Sequence, residues 1–507
     1  MGGEQSEASG PDFSAGVAEI AEGAMLRGHV QGEGALLIRS GGEFFLIGDT
    51  CTHYHGPLAE GLVVGDTIRC PWHHACFGLR DGAALRAPAL DAIPCWRAER
   101  RGDKIFATQK IDPKARPRPA PPPPLGRVAI IGGGPAGLAA ARTLREEGYS
   151  GSLVMLSADA EPPYDRPNLS KDYLAGAAPD EWLPLRSPAF YEDERIELRL
   201  STPVAALDLP DRTILLESGD RLRYDALLLA TGARPVRLEV PGADRPHVHY
   251  LRSLADSRAI AAAAGRATRV AVIGASFIGL EAAAALSERG LEVHVVAPDA
   301  VPMQKTFGEE VGRLVRAVHE AHGVVFHLCE SVAAIGDRAV TLASGATIGA
   351  DLVVVGIGVR PALELAEQAG LAIDRGVRVD EYLETSAPGV FAAGDIARWP
   401  DRRSGDAIRI EHFVTAERQG QTAARNILGR REHFEAAPFF WSRHFDLTVS
   451  YVGHASAWDR IEVSGSVEAR DCAVSYYRRD HKLAVATIGR DLESLRAEVE
   501  LEESPGA

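Results

Sequence analysis

Residues 127–156 read RVAIIGGGPAGLAAARTLREEGYSGSLVML, and residues 269–296 read RVAVIGASFIGLEAAAALSERGLEVHVV. In each, a run of branched apolar residues meets a glycine-rich turn, and an alanine-rich segment follows, ending at Gly148 or Gly290. The pattern predicts a buried strand, a tight turn, a helix closed by a C′ glycine, and a second strand. Gly132-x-Gly134-x-x-Gly137 lets the backbone approach a pyrophosphate while the helix N-terminus faces its charge. The second copy reads Gly274-x-Ser276-x-x-Gly279, and serine is small enough to keep that approach. Two such units in one chain imply two bound dinucleotides, each on an α/β sheet.

Around this duplication, 507 residues exceed what one hydrophobic core supports, so several domains are expected. A net charge of −15 argues against general nucleic-acid affinity and against docking on an anionic membrane. No apolar run approaches the ~18 residues of a membrane span. The first residues, MGGEQSEASG, lack the basic and apolar regions of a secretory signal, although Gly2 and Ser6 fit the loose myristoylation pattern. Six cysteines suggest a reducing compartment, and a cytoplasmic location is expected. Cys329 and Cys472 stand alone and read as buried small hydrophobes.

The clearest boundary is IDPKARPRPAPPPPLG, residues 111–126, a proline-rich extended spacer. Ahead of it, after a disordered tail at 1–12, lies a β-rich module at 13–110. GALLIRSGGEFFLIGD within that module alternates apolar residues around a Gly-Gly turn. Beyond the spacer, the expected segments are 127–242 and 366–433 for one dinucleotide domain and 243–365 for the other. A small α+β domain at 434–507 completes the chain.

The β-rich module contains CTHYHGPLAEGLVVGDTIRCPWHHAC, residues 51–76. Cys51-x-His53 and Cys70-x-x-His73 offer two thiolates and two imidazoles. Such a set can bind zinc, but a Cys-x-His first half is unusual for structural zinc. Two loops each giving one cysteine and one histidine suit a [2Fe–2S] cluster with two ligands per iron. With the following Gly56 and Pro71-Trp72, the stretch resembles a Rieske domain. That resemblance makes Cys51, His53, Cys70 and His73 the ligands, and leaves His55, His74 and Cys76 to loop packing. His74 replaces a residue that is usually glycine in such domains. The extra cysteine pair of high-potential Rieske proteins is absent, its places being Gly56 and Trp72. The ferredoxin type, near ~−150 mV, is therefore implied.

LLLATGARP (227–235), LVVVGIGVRP (352–361) and VFAAGDIAR (390–398), together with the two loops, resemble the two-dinucleotide flavoprotein superfamily. Thr231, Gly232, Gly358 and Gly394 belong to these segments. The resemblance implies FAD on the first loop, NADH or NADPH on the second, and Asp395 on the flavin ribityl chain. No redox-active cysteine pair is present, because between residues 77 and 328 only Cys95 occurs. Thiol chemistry is therefore excluded, and electrons must leave by another route.

PYDRPNLSKDYLAG (163–176), EHFVTAERQGQTAARNILG (411–429) and PFFWSRHFD (438–446) look like the ferredoxin-reductase and apoptosis-inducing-factor group. By that resemblance Arg166 and Lys171 approach the flavin, and Glu281 pairs with Lys171. Glu411 and His412 would lie near the flavin ring and nicotinamide, and Trp441 would close the site. The carboxylate expected about 20 residues past each loop is missing or displaced: Ser157 and Ala297 stand near those positions, with Asp159 and Asp299 two residues on. Lys305 is the nearest base to the second, and the balance leans to NADH.

The fold expected is thus multidomain: an all-β Rieske domain, two α/β dinucleotide domains and a C-terminal α+β domain. The function expected is transfer of electrons from NAD(P)H through FAD to the cluster and on to an oxygenase, cytochrome or quinone. The alternative is an apoptosis-inducing-factor-like oxidase or signalling protein whose cluster senses redox state. A homodimer is compatible with the terminal domain.

Overall fold

The computed structural model describes residues 10–112 and 125–504, which divide into two units. Gly2, Ser6 and most of the proline-rich spacer lie outside the described residues.

In the larger unit, strand Arg127–Ile131 pairs in parallel with Ser152–Leu156 and Ala226–Leu229. Ile196–Arg199 and Val390–Ala392 complete a five-stranded parallel sheet. The second copy is built alike. Arg269–Ile273 pairs with Glu292–Ala297 and Leu352–Val355, flanked by Val325–Leu328 and Val248–Tyr250. Each sheet is followed through by a three-stranded antiparallel meander, at 204–223 and at 332–349. Central strands covered on both faces need continuous apolar sequence, which is what RVAII and RVAVI supply.

Helices Pro135–Glu146 and Phe277–Glu288 start at the two glycine turns. Both end at left-handed glycines, Gly148 at φ 89° and Gly290 at φ 86°. The first-loop helix meets helix Phe413–Ile427 at Gly420, where an added Cβ would stand 2.2 Å from the Ala136 carbonyl oxygen. After this helix comes a five-stranded antiparallel sheet, in the order 439–444, 447–453, 481–488, 471–478, 460–466. Cys472 is buried in it, but Cys329 is exposed at the left-handed end of a strand (φ 57°), which corrects the expectation of a core thiol.

The smaller unit holds a six-stranded antiparallel sheet and a four-stranded one, 62–64, 67–69, 76–78 and 84–86. It also takes in Arg490–Ser504, so the segment 434–507 is divided: its strands belong to the larger unit and its helix, Asp491–Glu503, to the smaller. That helix buries Ser494, Leu495, Glu498 and Leu501, one stripe at helical spacing with a carboxylate in it.

Candidate functional site

Cys51 and His53 follow strand Glu43–Gly48, and Cys70 and His73 occupy the turn between Thr67–Arg69 and Cys76–Gly78. Backbone bonds fix both turns: Cys51 N donates to the Gly56 oxygen (2.9 Å) and Cys70 N to the Ala75 oxygen (2.8 Å). The geometry brings thiol to thiol and imidazole to imidazole. His53 Nδ1 and His73 Nδ1 are 3.2 Å apart. A hydrogen bond between the two sulfurs holds the Cys51 thiol above, and the Cys70 thiol below, its ordinary range. Burial pushes His53 down to about 3, leaving the neutral imidazole a metal requires.

Glycine at 56 lets the Cys70 sulfur approach the first turn, since a Cβ there would stand 2.7 Å from Cys70 Sγ. A two-iron cluster asks only two protein ligands of each iron, and a thiol pair with an imidazole pair is that donor set. The residues fit the cluster.

The neighbouring histidines are turned to other uses. His55 is exposed. His74 is buried against the helix Asp491–Glu503, with Nδ1 3.3 Å from Glu498 Oε1 and Nε2 3.2 Å from Ser494 Oγ. Arg69 joins the same carboxylate at 2.6 Å and reaches Glu502 at 3.0 Å.

In the larger unit a cavity of about 800 Å³ opens at the first glycine loop. Gly132 must be glycine: its φ is 128° and a Cβ would meet the Ala230 oxygen at 2.0 Å. Gly137 is equally constrained, 2.1 Å from the Gly132 oxygen. Gly134 lines the cavity, and an added Cβ there would meet no protein atom within 4 Å. Its smallness therefore serves no packing contact and leaves room for a ligand backbone to approach, as FAD requires.

The structure brings most of the expected flavin residues onto this cavity: Arg166, Lys171, Thr231, Gly232 and Glu281, then Gly394, Asp395, Glu411, His412 and Trp441. Lys171 Nζ lies 2.7 Å from Glu281 Oε2, at side-chain exposures of 12% and 5%. Asp395 pairs with Arg252 at 2.6 Å, and the Arg252 carbonyl accepts from Arg166. Thr231 donates to the Ala362 oxygen at 2.8 Å. Glu411 is held by Arg409 at 2.5 Å, yet burial raises its carboxyl above the ordinary range. His412 is pushed down to about 3 by burial, and its Nδ1 is buried with no protein hydrogen-bond partner. A buried polar atom on the cavity wall without a partner fits a bound ligand that supplies one.

Gly274, Ser276, Gly279 and Gly358 do not line this cavity; the first three form the second loop, and Gly358 follows strand Leu352–Val355. Ser276 is more than a spacer. Its hydroxyl caps the helix, accepting from Gly279 N at 3.2 Å and donating to the Gly356 oxygen at 2.6 Å. Beyond the next strand, Asp299 pairs with the exposed Lys305 at 3.0 Å.

Residues 126–420 match the family model described as pyridine nucleotide-disulphide oxidoreductase. The chain belongs to that family. Residues 13–97 of the oxidoreductase match the Rieske [2Fe–2S] domain and 439–503 the reductase C-terminal domain. It is an NAD(P)H-dependent, FAD-containing oxidoreductase with a Rieske [2Fe–2S] cluster. Apoptosis-inducing factor 3 of Homo sapiens is 33% identical, over 90% of this chain and 78% of the relative. Rhodocoxin reductase of Rhodococcus erythropolis is 36% identical, over 73% of this chain and 88% of the relative. A chain of the covalent putidaredoxin reductase–putidaredoxin complex superposes with a TM-score of 0.72 at 34% identity, covering 75% of this oxidoreductase and 93% of that chain. Among the described residues no helix is long and apolar enough to cross a membrane.

Sequence reasoning missed Arg252, Ser170 and Ser442. Ser170 Oγ donates to Glu281 Oε2 at 2.6 Å, and Ser442 Oγ donates to Glu281 Oε1 at 2.7 Å. For Ser442 the available signal was PFFWSRHFD, where a serine and a histidine two residues apart share one face of the strand; Arg252 and Ser170 had none.

Proposed function

We propose that the oxidoreductase takes electrons from NADH in preference to NADPH, gathers them in the cavity and passes them through its Rieske cluster to an external acceptor protein. FAD, when bound, turns a hydride into single electrons, and the cluster carries them singly. The observation that carries this reading is that among the described residues the Lys171–Glu281 pair lines the cavity and no cysteine does. Lys171 places a fixed cation on the cavity wall, and Glu281 with its two serine donors keeps that lysine oriented. Arg166, Arg252 and Asp395 hold the polar chain of the cofactor, Trp441 and His412 flank its ring, and the loop at Gly274–Gly279 takes the nicotinamide dinucleotide. The relatives named as reductases of rhodocoxin and putidaredoxin support a protein as acceptor, and a cytoplasmic location fits them.

The test is an anaerobic NADH titration of the purified protein, following flavin absorbance with low-temperature EPR. Bleaching of the flavin together with a rhombic signal from a histidine-ligated [2Fe–2S] cluster is the expected result. A reduced flavin beside an intact, EPR-silent cluster would overturn the relay. A second reading, a slowly turning redox-signalling protein, draws on the match to apoptosis-inducing factor 3 across 90% of the chain. It requires a long-lived reduced state that outlasts excess acceptor.

A further inference from the structure

Behind the Lys171–Glu281 pair a line of buried polar side chains runs away from the cavity. Ser442 Oγ is 2.7 Å from Glu281 Oε1 and 3.1 Å from His444 Nε2. His444 Nδ1 is in turn 3.2 Å from His319 Nε2. Ser442, His444 and His319 are each 0% exposed. His319 Nδ1, at the far end, is buried with no protein hydrogen-bond partner. Such an atom is rare in a folded interior and marks a function or a bound solvent.

The proton positions follow from the chemistry of each group. Glu281 accepts from Lys171, Ser170 and Ser442, which is the pattern of an ionised carboxylate. Ser442 therefore spends its one proton on Glu281, so His444 Nε2 must donate to the serine oxygen. A neutral imidazole that donates from Nε2 accepts at Nδ1, so His319 must donate from its own Nε2. Its Nδ1 is then a bare acceptor. Burial favours the neutral ring in both, pushing His444 and His319 down to about 3. Every proton in the chain thus points toward Glu281.

We propose that Ser442, His444 and His319 form a proton wire that protonates Glu281 when a hydride enters the cavity. The proposal rests on the flavin reading above. A hydride brings two electrons and one proton, so it adds one negative charge to a low-dielectric site. One solvent proton taken at His319 Nδ1 releases the Nε2 proton to His444 Nδ1. His444 passes its Nε2 proton to Ser442, and Ser442 passes its own to Glu281 Oε1. One proton enters, one carboxylate becomes a carboxylic acid, and no atom is left over. Lys171, no longer neutralised by Glu281, then presents its full charge to the reduced cofactor. Afterwards every hydrogen bond in the line is reversed, and the same wire returns the proton as electrons leave.

Lys171 stands at the cavity end, beside the Asp172–Arg443 pair. At the far end His319 packs edge-on to Phe326 and Phe445. His322, three residues on, stacks over Phe445 at 3.9 Å and is exposed at the helix end. That exposed helix end is the side from which the proposed wire would draw its proton.

The experiment is anaerobic stopped-flow reduction of the holoprotein by NADH in weak buffer containing a pH indicator. Flavin bleaching and proton uptake are read together. The expected result is uptake of one proton per flavin, in phase with bleaching. A protonated-carboxyl band should also appear in the reduced-minus-oxidised infrared spectrum and vanish in Glu281→Gln. In His444→Phe and, separately, in His319→Phe, bleaching should persist while uptake lags it at least tenfold. Bleaching without net uptake, or uptake in phase with bleaching in both variants, would overturn the wire. Failure of NADH to bleach the flavin at all would instead overturn the functional reading beneath it.

Discussion

His74 and Glu498 are separated by most of the chain, yet His74 Nδ1 lies 3.3 Å from Glu498 Oε1 and both side chains are fully buried. Glu498 also receives Arg69 at 2.6 Å, and Arg86 reaches Glu502 on the same helix at 2.5 Å. A carboxylate from the end of the described chain thus neutralises the strand that leads into the second ligand turn.

Removing that carboxylate takes from buried Arg69 the nearer of its two carboxylates, leaving Glu502 at 3.0 Å. Breaking a buried ion pair from one side costs about 3–5 kcal/mol. Glu498→Ala is expected to lower the temperature at which the cluster's visible absorbance is lost, while flavin release on heating stays unchanged. Following both absorbances in one melt checks it.

Gly56→Ala places a methyl group 2.7 Å from Cys70 Sγ. The sulfur must then leave its position, and the expected outcome is a folded protein with reduced iron and acid-labile sulfide. Metal and sulfide analysis, with EPR of the dithionite-reduced sample, checks it.

Two glycines of the first loop should fail differently. Gly137→Ala forces a Cβ to 2.1 Å from the Gly132 backbone oxygen, so the fold itself should lose about 1–3 kcal/mol, read as a lower urea midpoint without added FAD. Gly134→Val meets no protein atom within 4 Å of the new Cβ, so the urea midpoint should hold while FAD content falls at least tenfold.

Acid should weaken the larger unit at mild pH. His319, His412 and His444 are each pushed by burial from 6.5 to about 3. Between those values the unfolded chain binds protons that the folded one refuses, so stability rises with pH there and falls as the solution is acidified below about 6.5. The slope is on the order of 1 kcal/mol per pH unit for each histidine. Urea midpoints at pH 7 and pH 5 should differ markedly, and His444→Phe should reduce the difference.

Much of this was legible in the sequence because it is written at short range. Gly132, Gly134 and Gly137 announce a turn through their spacing, and Cys51, His53, Cys70 and His73 announce a two-iron site through theirs. The cavity residues came from several separated motifs whose combination is specific. What stayed hidden joins distant parts of the chain. The Arg252–Asp395 pair and the Ser442–His444–His319 line depend on how strands and helices pack, which no local period encodes. The place of the last helix had one trace in DLESLRAEVELEE, where Glu498 stands on the stripe of Ser494, Leu495 and Leu501. A carboxylate on an apolar stripe asks for a buried partner, and its partners lie in a module more than four hundred residues upstream.

That helix also sets an order of events during synthesis. A ribosome adds about 5–20 residues per second, so some 20–80 seconds separate the emergence of His74 from that of Glu498. Throughout that interval the sheets bearing Cys51 and Cys70 can form, but Arg69 and His74 lack their carboxylate. The module translated first is therefore among the last to be finished.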